Sequence, residues 1–389
     1  MSITFPSKNA RDTVTSRDVM TQETTTITTP RTITECDLEA LELGAALLGT
    51  GGGGNPYIGK LRTRELLRAG KTVELISLHD LPDDALVVSV GGIGAPVVGI
   101  EKIEHGDECL RALRAVEAEV GQPISALIAA EIGGANSMEP LLTAAQAGLP
   151  VVDADGMGRA FPELQMCTFF IYGHPAAPAA LADDKGNCVV LRDVVDMYWL
   201  ERIARAITVQ MGAAAGYADA PMRAGFLKKY AIPNTVTQAL NLGYAIQRAR
   251  QEKRNPIAEV LRSERGTLVF TGKISDVRRE LKGGFAVGQV TLEGFDTFSA
   301  QHARIDIQNE NLIFWRAGKP EVTVPDLIVV LDSDTGTPIT TEVLRYGQRV
   351  AVLALPCHEL LRTPEALAVI GPQAFGYQDV KYVPLEASV

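Results

Sequence analysis

Four residues in the turns after short apolar segments carry side chains suited to proton transfer in this 389-residue chain: Glu131, Asn136, Asp153 and Asp155. Carboxyl groups held together can divide acid and base work, because burial and mutual repulsion separate their pKa values so that one stays ionised while another holds a proton. Asp153 and Asp155 are two apart, so an extended backbone would project both from one side. Taken singly, Asp153 could be a helix cap and Asp155 a turn residue. Taken as a set with Glu131 and Asn136, they point to proton transfer on a bound ligand. The same oxygen donors would also suit a hard divalent cation, although no cofactor is required by the sequence.

Glycine is concentrated around these positions. Gly49-Thr50-Gly51-Gly52-Gly53-Gly54 matches GxGxxG literally, but it follows a helical pattern instead of a strand, and that removes its meaning as a dinucleotide fingerprint. Gly54 to Lys60 matches GxxxxGK, yet Leu61 stands where a magnesium-holding hydroxyl belongs and Pro56 removes one amide. What remains is backbone able to approach a ligand closely, at Gly51, Gly52, Gly53, Gly54 and Asn55. Gly92 and Gly94 in Gly91–Pro96, and Gly133 and Gly134 beside Glu131, extend the same character.

These residues need a scaffold that brings separate loops together. Thr34 and Asp37 form a capping signal ahead of a helical stretch at Leu38–Leu48. Apolar segments at Ala85–Val90, Ala126–Ala130 and Pro150–Val152 each end in a glycine turn, with helical patterns near 101–120 and 137–148 between them. This alternation predicts an α/β amino-terminal domain with a mostly parallel sheet, whose ligands lie beyond the strand ends. Thr168–Tyr172 and Cys188–Leu191 read as further strands, and a helix is expected around 194–211. His174 would then close a strand near the site.

After about residue 215 the texture changes. Helical stretches near 235–264 precede Leu268–Ile274, Phe285–Leu292, Ala303–Ile307, Asp326–Asp332, Arg349–Leu355 and Phe375–Pro384, a spacing that predicts a smaller β-rich, barrel-like carboxyl-terminal domain with some helices. The expected division is a disordered tail at 1–33, an α/β domain at 34–212 and the β-rich domain at 213–389. The tail rests on nine Thr within residues 1–30 and little apolar periodicity.

A formal charge of −10 opposes any general grip on nucleic acid. No apolar run reaches the roughly 20 residues of a membrane span. Five scattered cysteines argue against a disulfide framework and fit a cytoplasmic location. Cys357 and His358 are neighbours, and in an extended segment would point to opposite faces, which opposes a nucleophile–base pair.

Together, Gly49–Gly54 with Asn55-Pro56, Gly91–Pro96, Glu131–Asn136 and Asp153–Glu163 resemble the S-methyl thiohydantoin desulfurase family, across about residues 34–385 and including Arg362-Thr363-Pro364 and Gly371–Tyr377. The resemblance implies an α/β domain joined to a β-rich one, and a small cyclic imide-like substrate. The implied activity replaces a methylthio group on the ring by oxygen, giving a hydantoin and methanethiol. It also implies relatives encoded beside, or fused to, hydantoinase/oxoprolinase-type proteins, so a partner of that type is expected. For this chemistry Asp153 or Asp155 would activate water, Glu131 would donate a proton, Asn136 would hold the ring's carbonyl and amide edge, and glycine-loop amides would stabilise developing charge. The alternatives are ring-opening hydrolysis of a hydantoin or lactam, and a non-catalytic subunit of a hydantoinase/oxoprolinase complex. Metal dependence and homo-oligomer formation are left open by the sequence.

Overall fold

A computed structural model of the chain describes residues 30–94, 98, 102, 104–282 and 285–385. Most of the expected tail and the end of the Gly91–Pro96 loop lie outside the described residues. Within the expected tail, Arg31–Thr32 (β1) forms a strand that pairs antiparallel with Glu74–Ile76 (β2).

The first helix, Glu35–Leu48, starts where its signal places it. Thr34 Oγ1 accepts from Asp37 N, and Asp37 Oδ2 accepts from Thr34 N at 2.7 Å. It crosses helix Thr235–Gln251 at very close range. A Cβ on Gly44 would stand 1.8 Å from Ala239 O, and one on Gly243 1.8 Å from Ala40 O, so only glycine lets the two backbones meet.

The amino-terminal sheet is mixed. Its parallel centre runs β2, Val151–Val152 (β5), Ala126–Ile128 (β4) and Leu86–Gly94 (β3). Ala214–Ala218 (β9), Ala179–Ala182 (β7) and Cys188–Leu191 (β8) then extend it antiparallel, and Met222–Arg223 (β10) pairs the start of β3. Helices Glu108–Val120 and Met197–Gln210 pack against it. The sheet therefore uses strands from both sides of residue 212. Beyond it, Ala154–Asp155 (β6) pairs with Ile232–Pro233 (β11).

Two expected strands are absent. Thr168–Ile171 is a short helix, despite its β-branched and aromatic residues, because burying Phe169 and Phe170 there outweighs local propensity. Phe375–Pro384 forms no strand; Gln373 Nε2 donates to Val380 O and folds the segment back on the 3₁₀ turn Pro372–Phe375.

The carboxyl-terminal unit is a seven-stranded antiparallel half-barrel. It comprises Thr267–Lys282 (β12), Phe285–Gly294 (β13), His302–Gln308 (β14), Glu310–Arg316 (β15), Lys319–Thr323 (β16), Leu327–Asp332 (β17) and Arg349–Leu355 (β18), in the order β16-β15-β14-β13-β12-β18-β17. Its inward residues form their own core around Phe270, Val290, Ile305 and Phe314. Its other face joins the main core through Leu312, Val329 and Leu353. Among the described residues no helix is long and apolar enough to cross a membrane.

Candidate active site at the junction of the two units

Beyond the carboxyl ends of β3 and β4, a cavity of about 390 Å³ opens where the half-barrel meets the amino-terminal sheet. Its size suits a small ligand. Glu131, in the turn after β4, is 6% exposed and lines it. Asn136 Nδ2 donates to Glu131 Oε1 at 2.8 Å and Phe161 N donates to Oε2 at 3.2 Å. Asn136 is itself locked to the end of β3, accepting from Gly92 N at 2.7 Å and donating to Gly92 O at 3.2 Å. Its two amide hydrogens are thus committed, to Glu131 and Gly92, while Asn136 lines the cavity with one Oδ1 lone pair unused.

Opposite lies a group the sequence analysis missed. Glu310 opens β15, is 2% exposed and lines the same cavity. Its Oε1 accepts from Gly53 N at 3.2 Å, while Oε2 is buried without a partner. Burial pushes Glu131 up to about 8. Burial, and then the charge of Glu131, push Glu310 well above the carboxylate range. With the charge of Glu131 acting on Glu310, ionisation of one carboxyl disfavours ionisation of the other, and the two titrate as a coupled pair. The available signal was the polar run Gln308-Asn309-Glu310-Asn311 interrupting apolar strands, three of whose members prove buried.

Beneath the pair, Arg159 is fully buried. It donates to Pro325 O, Asp326 O and Asn311 O of the half-barrel, and to Thr50 Oγ1 and Ala160 O of the amino-terminal unit. Burial lowers it to about 10, so it stays cationic at neutral pH and favours ionised carboxyls above it.

The glycine loops divide by role. Gly53, Gly54, Asn55, Gly92 and Gly94 line the cavity as expected, whereas Gly51, Gly52, Gly133 and Gly134 do not. Those four permit close packing. A Cβ on Gly52 would stand 2.0 Å from Glu310 Oε1, one on Gly133 2.6 Å from Ala160 N, and one on Gly134 2.4 Å from Gly53 carbonyl atoms. Gly51, at φ +90°, lies against Asn311 and Thr341. The loop is thereby stitched to the half-barrel, with Thr341 N donating to Gly51 O and Asn311 N to Thr50 O.

The two aspartates are placed elsewhere. Asp153 turns away and caps helix Thr235–Gln251, accepting from Thr237 N at 3.0 Å and Thr237 Oγ1 at 2.6 Å. Asp155 is fully buried and accepts from the backbone amides of Ile132, Met157 and Gly158. Neither lines the cavity. Their carboxylates do not share one side because β6 leaves the sheet to pair with β11. The four-residue oxygen set considered for a cation is therefore not assembled. Among the described residues no cluster of three or more His, Cys, Asp or Glu side chains has metal-holding geometry. His174 bonds Ala220 O and packs between Phe170 and Phe226, and Cys357 lies by Arg362; both are outside the cavity.

The remaining wall is mixed. Met157, Phe161, Pro162, Leu164 and Ile93 supply apolar surface. Arg62, ion-paired with Glu104, and Glu139, which burial raises to about 7, form a polar side, and Tyr217 stands on β9.

No curated protein matches the chain. A crystal structure of a protein from Chromobacterium violaceum is similar over 92% of this chain and all of that one, with 26% identity and a TM-score of 0.75. Residues 36–193 match the S-Me-THD-like amino-terminal domain and residues 195–385 the S-Me-THD-like carboxyl-terminal domain. With both halves matched in order around this shared cavity, the chain belongs to the S-methyl thiohydantoin desulfurase family.

Proposed function

We propose that the protein hydrolyses the carbon–sulfur bond of a small S-methylated thiohydantoin, releasing methanethiol and a hydantoin. The observation that carries this is the buried Glu131–Glu310 pair, one carboxyl from each unit, facing one cavity of ligand size. Hydrolysis at the ring carbon bearing sulfur needs one base for water and one acid for the ring nitrogen.

The donor count supports a division of roles. Glu131 accepts two hydrogen bonds, which favours its charged form. Glu310 accepts only one from a neighbouring residue's amide and leaves an oxygen bare, which suits a carboxyl that keeps its proton. In the forward step Glu131 takes a proton from water as oxygen bonds to the ring carbon, and Glu310 protonates the ring nitrogen. In the second step the carbon–sulfur bond breaks and Glu131 returns its proton to methanethiolate. Glu310 recovers one from the new hydroxyl as it becomes a carbonyl. Both side chains end as they began, and the net consumption is one water. The base role expected of Asp153 or Asp155 thus passes to Glu131, and the donor role expected of Glu131 passes to Glu310.

The test is to incubate the purified chain with S-methyl thiohydantoins, titrating free thiol and weighing the ring product. One methanethiol per hydantoin is expected. A carbamoyl acid without free thiol overturns this reading in favour of ring opening, and no turnover across the series favours a non-catalytic subunit.

A further inference from the structure

One buried polar group in the cavity has no part in that proton transfer. Ser89 on β3 and Tyr217 on β9 both line the cavity floor. Val90 pairs with Ala218 and Gly91 with Tyr217, so Ser89, Gly91 and Tyr217 share one face of the sheet, and Asp219, whose amide donates to Ser89 O, follows on that face. Tyr217 Oη donates to Asp219 Oδ1. Asp219 is 1% exposed and lies behind the tyrosine, outside the cavity lining. Ser89 Oγ, equally buried, faces the Asp219 carboxylate across the ladder without a well-formed hydrogen bond to it, so its hydroxyl proton can turn to either Asp219 or the cavity.

The missing side chain at Gly91 connects this floor to the carboxyl pair. A Cβ there would lie 3.0 Å from Asn136 Oδ1, the amide that braces Glu131, and Tyr217 stands directly across the ladder from Gly91. Because the Tyr217 proton is committed to Asp219, what its oxygen offers the cavity is lone pairs. Ser89 can turn its hydroxyl proton towards an acceptor. The floor is thus one acceptor beside one donor, complementary to an amide edge. Asn136, with both amide hydrogens held by Gly92 and Glu131, offers no donor there.

We infer that Tyr217 and Ser89 form the specificity element that reads the unsubstituted cis-amide edge of the ring, Tyr217 Oη accepting from its N–H and Ser89 Oγ donating to its carbonyl. This rests on the reading that a hydantoin-type ring occupies the cavity. The ligand class is narrowed to rings that carry a free N–H next to a carbonyl. Asp219 is a positioning residue, holding the tyrosine proton away from the ligand.

The experiment is calorimetric binding of a hydantoin and its N1,N3-dimethyl derivative, which keeps both carbonyls and has no N–H, to wild type, Tyr217→Phe and Ser89→Ala, with methanethiol release measured in parallel. Wild type should bind the N–H compound about 10–100-fold more tightly, the usual consequence of leaving a buried polar partner unpaired. Tyr217→Phe should erase most of that preference and raise KM more than it lowers kcat. Ser89→Ala, a smaller change to the core, should weaken both ligands about equally. Equal binding of both ligands by wild type, or a preference that survives in Tyr217→Phe, overturns this inference alone. No binding of either ligand together with no thiol release overturns the parent reading and this one with it.

Discussion

Replacing Glu131 by Gln should move activity and stability in opposite directions, and the size of each follows from its surroundings. Glutamine keeps the shape and can still accept from Asn136 Nδ2, but it cannot take a proton from water. Loss of a positioned proton-transfer group costs ~10²–10⁴ in rate. Stability behaves differently because burial holds the carboxyl up to about 8 from an ordinary value of 4.5. That is on the order of 4–5 kcal/mol of preference for the protonated form. With the folded pKa raised, the unfolded chain releases this proton first as pH rises. The group's favourable contribution is complete below about 4.5 and is lost progressively up to about 8. The variant lacks this loss. Against it stands the Phe161 amide, which would meet the new NH₂, a mismatch of ~1–3 kcal/mol. The variant should therefore be close to wild type, or slightly weaker, at pH 5, and overtake it by a few degrees in Tm at pH 9. Glu139 and Asp219, each raised to about 7, titrate in both proteins and cancel in the difference, whereas Glu310 and Asp155, coupled to Glu131 by like charge, ionise more easily in the variant and add to its advantage at high pH. Thermal melts of both proteins at pH 5, 7 and 9, with thiol release from S-methyl substrate, read both effects. A Tm difference that does not change with pH would refute the burial of an ionisable carboxyl, and retained turnover would refute its use as the base.

Other perturbations separate the remaining roles. Wild-type kcat/KM should rise with pH through a limb near 8, since the base must lose its proton to act, and a flat profile from pH 6 to 9 would exclude the carboxyl pair. Gly52→Ala puts a methyl where Glu310 Oε1 lies, at a position without positive φ, so circular dichroism should stay native while kcat falls ~10²-fold. Asp153→Asn should cost ~1 kcal/mol in denaturant melts through the weakened helix cap and leave turnover within about twofold of wild type. Arg159→Met leaves carbonyls of both units unpaired around an apolar side chain, and should destabilise by ~3–5 kcal/mol, measured by urea unfolding.

The parts of the fold that obey local rules were legible. The Thr34–Asp37 cap, the strands ending at glycine turns and the helical pattern that ends near residue 120 all follow from residues within a few positions of one another. Parity along a presumed strand misled at Asp153 and Asp155, because the chain leaves one sheet for another between them and long-range partners then take each carboxylate. Thr168–Tyr172 misled for a related reason, since aromatic burial outweighs strand propensity. Glu131 and Asn136 stood out as candidates because they lie in the turns that follow a short apolar strand, and both line the cavity. Glu310 did not, as no local pattern shows that a polar residue in a distant hairpin comes to rest on Gly53. The glycine run announced crowded backbone, but only coordinates distinguish glycines facing a ligand from those facing other chain.

Placing one carboxyl of the pair on each unit also constrains how such a protein can diversify. Neither half, inherited alone, would carry both carboxyls of the cavity. A recombinant joining halves of two distant relatives would need Arg159, Thr50 and Gly51 to find matching carbonyls and amides on the foreign half. Drift at that seam should accordingly be paired, with a change on one side surviving only where the other has answered it.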